Sequence, residues 1–322
     1  MSKTFFIITV DTEADNQWQR PSTESVRNIS FLPRFQLLCE KYSLPVTYLI
    51  TYEVATDQSA INILKSFKDR GAEIGAHLHP WTTPPFSKSR DEDRRWHQFP
   101  SELTKEEFRS KLLTLTQEIE KNFGHPTSYR SGRWGFDESL VSELVAQNYL
   151  VDCSVTPKLS WRETRGGSET KTGPDFRRAK LRPHYFGRLF EVPLTVIATS
   201  SLVRESGALI SLYNALNNGL LKRLLNKVFL RVKTLRIFPE TTVNDLRSII
   251  RAVKRNHLPV AEFMIHSSEL MPGGSPYAKT IEAVERSYEL LEELFKLAKS
   301  EGLVGITLSD YARLKMETEK ND

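Results

Sequence analysis

The sequence has little cysteine: Cys39 and Cys153 are the only two among 322 residues. Both sit in apolar surroundings, which fits buried free thiols better than a disulfide framework or a cysteine-built metal site. Long hydrophobic runs are also missing. No stretch approaches about 18 consecutive apolar residues, so no membrane span is expected. The amino terminus, Met-Ser-Lys, passes directly into an apolar run. It lacks the basic segment, apolar stretch and small-residue cleavage site of a secretory signal, and the expected location is the cytoplasm. A dominant charge of one sign is absent too. Forty-five basic and forty acidic residues leave a net charge of +5, with the two signs interspersed. A nucleic-acid binder more often shows a basic stripe with interleaved aromatics, so no nucleic-acid partner is expected. The densest basic stretch, Arg162 to Arg188, is loop-like and reads as solvated. There is no internal repeat and no Pro/Ser-rich linker, so residues 1–322 are expected to form one domain.

What the chain does have is an alternation of apolar runs with amphipathic ones. Thr4 to Val10, Val46 to Thr51, Ala72 to His79, Thr127 to Trp134, Tyr149 to Val155, Leu189 to Val196, Val260 to Ile265 and Val304 to Leu308 read as strands. Between them, helical patterns run over 26–42, 59–70, 104–123, 137–148, 209–232, 243–256 and 276–300, with a closing helix after Ser309. Gly71 and Gly124 stop two of these helices, and Thr104 with Glu107 forms a capping box. Residues 80–100 and 158–187 read as long loop insertions. Strands alternating with helices predict parallel pairing and right-handed crossovers. Seven or eight such units favour a β/α barrel over an open sheet. In such folds the site forms where strands end, at their C-terminal edge.

Polar residues gather at those ends. The first strand is apolar until Asp11-Thr12-Glu13, and alternation puts Asp11 and Glu13 on one side. Two carboxylates facing one space suit a metal ligand beside a general base. The third strand ends in His77-Leu78-His79, with both imidazoles on one face. Such a pair can reach one cation at about 2.0–2.1 Å for zinc. Pro80 and Trp81 end that strand, and Trp81 is placed to wall a pocket. His266 follows an apolar strand and is a candidate general acid, with Ser267, Ser268 and Glu269 available to orient it. Tyr129-Arg130-Ser131-Gly132-Arg133-Trp134-Gly135 ends another strand. Arg130 can brace a carboxylate, and backbone amides here can serve an oxyanion. Asp152 lies in an otherwise apolar run and needs a partner, for which Arg130 is the obvious choice.

The ordered set VDTE, EIGAHLHPW, YRSGRWG, YLVDCSV and FMIHSSEL resembles the polysaccharide deacetylases, carbohydrate esterase family 4, over residues 4 to 310. The resemblance implies an α/β fold, a distorted (β/α) barrel of seven or eight strands forming a single catalytic domain. It also implies a divalent metal ion, often zinc, and an acetylated carbohydrate as substrate. Applied here, it makes Asp11, His77 and His79 the metal ligands, Glu13 the base and His266 the acid. Arg130 and Asp152 tune the catalytic set, and Trp81, Arg133 and Trp134 contact substrate. The family's first motif usually has two adjacent Asp residues, where this chain has Asp11 and Glu13 around Thr12. Its histidines usually stand four apart, which would fall on Trp81, so His79 substitutes. A proline usually stands at Gly132. The exchange of roles between Asp11 and Glu13 is open at this stage. The chain looks like an intracellular branch linked to surface-polysaccharide biosynthesis. Two other readings stand beside deacetylation: hydrolysis of another small-molecule C–N amide bond, and a non-catalytic carbohydrate-binding barrel.

Overall fold

The computed structural model describes residues 3–18, 24–87, 89, 91–93, 97–164, 173–201, 203–205, 207–217 and 219–321. Parts of both expected loop insertions, residues 88, 90, 94–96 and 165–172, lie outside the described residues. Eleven strands occur among those described: β1 (Phe5–Thr12), β2 (Val46–Ile50), β3 (Glu73–Leu78), β4 (Ser128–Ser131), β5 (Val151–Asp152), β6 (His184–Phe186), β7 (Leu189–Glu191), β8 (Val196–Ala198), β9 (Val232–Thr234), β10 (Val260–His266) and β11 (Val304–Gly305). The main sheet runs β10-β1-β2-β3-β4-β5-β7-β6, and β11 pairs with the start of β1. Every pairing from β10 to β7 is parallel. The sheet curls into a half-barrel with helices outside it, so the expected barrel class holds. Beyond β7 the chain crosses back toward β10. There Thr195 donates its N–H to the Glu262 carbonyl at 3.4 Å, and the Glu262 N–H donates to Thr195 Oγ1 at 2.9 Å.

Alternation along β1 divides the interior. Phe6, Ile8 and Val10 face the large core under the outer helices. Phe5 and Ile7 face the inside of the half-barrel with Leu49, Val151, Phe190 and Val260, where Leu308 and Tyr311 of the last helix, Leu308–Asn321, plug the floor. Next on that inner face comes Thr9, then Asp11, then Glu13. The inside thus grades from apolar floor to polar mouth along one strand. Outer helices begin where the sequence caps them. Thr104 and Glu107 exchange hydrogen bonds at the start of Lys105–Phe123, which stops at Gly124 with φ 76°. Thr242 and Asp245 do the same for Val243–Arg255. Both cysteines are buried and free.

Several elements differ from the sequence reading; the strand expected over Leu189 to Val196, for one, joins the main sheet only at Leu189–Glu191, and Val196–Ala198 pairs with Val232–Thr234 instead. The strand expected over Thr127 to Trp134 ends at Ser131, because Arg133 and Trp134 adopt left-handed backbone (φ 53° and 62°) and the chain turns. Tyr149 to Val155 pairs only at Val151–Asp152. The stretch read as loop to residue 187 contains β6, antiparallel to β7 across a turn at Gly187 with φ 58°. Its side chains are all half-buried and show no alternation for sequence reasoning to catch. The single helix expected over 209–232 is two, Ala208–Ala215 and Leu220–Leu225. They are followed by a wider helical turn, Asn226–Leu230, which ends at Arg231 in left-handed conformation. No helix among the described residues is long and apolar enough to cross a membrane.

Candidate metal and catalytic centre

The mouth of the half-barrel collects the ends of β1, β3, β4 and β10. Register fixes two of its residues: seven successive parallel pairs from Phe5↔Val260 end in Asp11↔His266. Glu13 follows Asp11 by two residues and shares its face. At the end of β3, His77 and the His79 that follows the strand point inward together, with ring centroids 4.6 Å apart. Gly132 is required beside them, since a Cβ there would lie 2.2 Å from His79 Cδ2.

Among the described residues, Glu13, His77 and His79 form a buried group whose ligand atoms all lie within 4.8 Å of one another. His79 Nε2 is 3.3 Å and His77 Nε2 3.7 Å from Glu13 Oε2. His77 Nδ1 lies 3.0 Å from the Arg130 carbonyl, to which it can only donate. That bond places its proton on Nδ1 and leaves the Nε2 lone pair aimed at the group, the arrangement by which outer partners orient metal-binding histidines. Burial and neighbouring His77 push the His79 imidazole well below its usual pKa, toward the neutral form a ligand needs. Burial opposes protonation of His77 as well, but Asp11 and Glu13 outweigh it and raise its pKa. A donor set of two imidazoles and one carboxylate suits a divalent ion such as zinc, so these residues fit the metal the resemblance implies.

Asp11 has a different setting. Its Oδ1 accepts from Arg130 Nη1 at 2.6 Å, while Oδ2 stands 3.8 Å from Nε2 of both His77 and His266. Burial alone would raise its pKa, but the Arg130 guanidinium and the two imidazoles override it, and the carboxyl falls well below the usual range. Arg130 itself is fully buried. It also donates to Glu262 Oε1 at 2.8 Å, to Thr9 Oγ1 at 2.9 Å and to the Cys153 carbonyl at 3.1 Å. The sequence reading put Asp11 among the ligands and Glu13 apart; the structure gathers Glu13 with the imidazoles and fastens Asp11 to Arg130.

Asp152 needs a correction. It does not form the expected ion pair with Arg130, because Asp11 and Glu262 take that guanidinium. It accepts instead from the hydroxyl and N–H of Ser154, at 2.6 and 3.0 Å, and lies against Glu191 away from the pocket. Burial raises the pKa of both Asp152 and Glu191.

His266 stands at the rim. Its Nδ1 lies 2.6 Å from Glu269 Oε1, and Arg236 Nη2 donates to that same oxygen at 2.7 Å. Its Nε2 therefore faces Asp11 and the pocket. The cavity holds about 280 Å³ and is walled by Trp18, Trp81, Trp134, Trp161 and Tyr277, with Arg133 at its edge. Trp81 stacks on His79 at 4.4 Å, Trp18 meets His266 edge-on at 4.9 Å, and Trp134 lies parallel to Trp161 at 6.5 Å. Trp81, Arg133 and Trp134 line the pocket. Arg236, Glu262, Trp18, Trp161 and Tyr277 were missed. Glu262 was open to detection, as an acid inside the apolar strand Val260–His266. The others come from loops and become neighbours only through tertiary packing.

No family model matches the chain, and no curated protein matches it by sequence. Solved structures do match by shape. A Mycobacterium smegmatis protein assigned as a polysaccharide deacetylase superposes with a TM-score of 0.57 at 14% identity, covering 99% of this chain and 92% of that one. The 4-alpha-glucanotransferase from Thermococcus litoralis superposes with a TM-score of 0.52 at 13% identity, covering 97% of this chain and 40% of that one. At such identities the likeness is one of architecture, and the chain has the curled α/β barrel fold of a polysaccharide deacetylase.

Proposed function

We propose that the chain is a metal-dependent hydrolase that removes an acetyl group from an acetylated sugar. The observation that carries this reading is the segregation of the two carboxylates: Glu13 sits with two buried imidazoles, and Asp11 sits beside them on a buried arginine. Of the role assignments open from sequence, this geometry supports Glu13, His77 and His79 as ligands and Asp11 as base. A divalent ion held there supplies Lewis acidity to the acetyl carbonyl and makes water more nucleophilic. Asp11, kept ionised by Arg130, accepts the proton of the attacking water. His266, with Nδ1 held by Glu269, offers its Nε2 proton to the departing amine or alcohol. Arg133 and Trp134 line the cavity, and their backbone N–H groups would serve the oxyanion that develops. The indole walls present apolar faces to a sugar ring and exclude water.

The test combines metal analysis with acetate release from a panel of acetylated sugars. Glu13→Gln and His77→Ala are expected to lose both bound metal and turnover. Asp11→Asn is expected to keep the metal and lose turnover by about 10²-fold or more. Metal binding that survives Glu13→Gln but not Asp11→Asn would reverse the two roles. Ammonia from small amides in place of acetate would move the chain to another C–N hydrolase. No turnover with zinc or cobalt present would leave a binding barrel.

A further inference from the structure

The segment between β8 and β9 does not serve the pocket. It is attached through a small satellite core of Ala198, Val203, Ile210, Tyr213 and Leu230. Its outer surface is apolar to an unusual degree. Leu209 and Leu212 are exposed on Ala208–Ala215, and Leu220, Leu221, Leu224, Val228 and Phe229 are exposed on the helical stretch from Leu220 to Leu230. Leu220 is 84% exposed and Leu221 62%. Positions 220, 221, 224 and 228 share one helical face, and Arg223 and Lys227 stand exposed beside it. Large contiguous apolar surface of this kind marks a place where something docks.

Charge identifies the occupant. From residue 206 to residue 239 the sequence has six basic residues and no acid. Next to the apolar face opens a cleft of about 1010 Å³ that shares Lys227 and Val228 with it. Lys227, Arg231, Lys233, Arg247, Arg251 and Arg255 line it, against the single carboxylate of Asp245, which Lys233 engages at 2.9 Å. Arg255 Nε is buried there with no hydrogen-bond partner among the described residues. Apolar side chains that enter a hydrocarbon boundary, beside cations at headgroup level, are the two components of an interfacial membrane anchor. Self-association would instead bring two such cationic clefts together, and like charges across an interface oppose it.

We infer that the 208–233 segment docks the protein on an anionic phospholipid surface, with the leucine face inserted and the cleft cations on lipid phosphates. This does not depend on the proposed reaction. The experiment is flotation of the full chain with vesicles of phosphatidylcholine alone or of phosphatidylcholine mixed with phosphatidylglycerol. Binding is expected to the mixed vesicles, at least about tenfold stronger than to the neutral ones, and to weaken as salt is raised. Leu220→Glu with Leu224→Glu, and separately Lys227→Glu with Arg231→Glu, are each expected to reduce partitioning roughly tenfold or more while leaving the thermal melt unchanged. If either pair melts early, a Phe229→Trp variant reads the same contact, through a fluorescence blue shift on mixed vesicles. Equal binding to both vesicle types, no binding at low salt, or undiminished binding by well-folded variants overturns the inference. So does a dimer in solution that Leu220→Glu dissociates, since the face would then belong to a second copy.

Discussion

Arg130 ties the candidate chemistry to the stability of the fold. A fully buried guanidinium is tolerable because its donors are directed at two carboxylates, a hydroxyl and a carbonyl. Removing it leaves Asp11 and Glu262 buried without their cation. Arg130→Met is therefore expected to destabilise the protein by about 3–5 kcal/mol in urea unfolding. Arg130→Lys is expected to recover little of that, because an ammonium cannot reproduce the fork that meets both carboxylates. At this scale the sequence was informative. Asp11, Glu13, His77, His79 and His266 announced themselves as polar ends of apolar strands, and the structure brings all five to one cavity. The division of labour between Asp11 and Glu13 was not readable. It depends on which carboxylate Arg130 reaches from β4, three strands from β1 along the sheet, and strand alternation treats the two acids alike.

Between elements, two buried polar contacts join segments far apart in sequence. Lys111, on the helix Lys105–Phe123, donates to the carbonyls of Pro80, Thr83 and Pro85 at 2.7–2.9 Å and to the buried Asp93 at 2.7 Å. It thereby holds the loop that carries Trp81 against the barrel. Lys111→Met keeps helix propensity but strands these acceptors. The expected result is a loss of about 3 kcal/mol in stability and a rise in KM larger than the fall in kcat. The second contact joins the adjacent strands β5 and β7. Glu191 Oε2 is buried without a donor, and it faces Asp152. A proton on Glu191 supplies the missing hydrogen bond, in keeping with its raised pKa. A carboxyl whose folded pKa lies above its unfolded value stabilises the fold below the unfolded pKa, near 4.5, and loses that contribution as pH rises through the folded value. The contribution of Glu191 to the melting temperature is thus expected to fall as pH rises above that point. Glu191→Gln, permanently neutral, should lack this component, so its melting temperature relative to wild type should climb from pH 5 to pH 9. A constant difference across that range would contradict a protonated Glu191. Neither contact was legible in the sequence. The partners are separated by 18 to 39 residues, and each becomes visible only once a strand or loop has been placed against its neighbour.

For the whole molecule, the parallel register would make folding and the binding of an ion at Glu13, His77 and His79 a single equilibrium. Glu13 follows β1 and the two imidazoles end β3, with β2 between them in the sheet. The three ligand atoms meet only when all three strands are paired and the half-barrel is curled. The unfolded chain holds no such group, so an ion that binds the folded site must stabilise the fold. At a free concentration about 100 times its dissociation constant the gain is about 2.7 kcal/mol. For a chain of 322 residues that corresponds to a rise in melting temperature of roughly 3–5 °C. Zinc added to chelator-treated protein is expected to produce such a rise, and to fail to do so in Glu13→Gln and His77→Ala. In Asp11→Asn the rise should persist, even though removing the carboxylate opposite Arg130 lowers the starting stability. A rise that is identical in all four proteins would mean the ion binds elsewhere, for instance at an exposed acidic cluster. A rise lost only in Asp11→Asn would return Asp11 to the ligand set. Because the readout is stability, it reports on the assembly of the centre whatever substrate the pocket accepts.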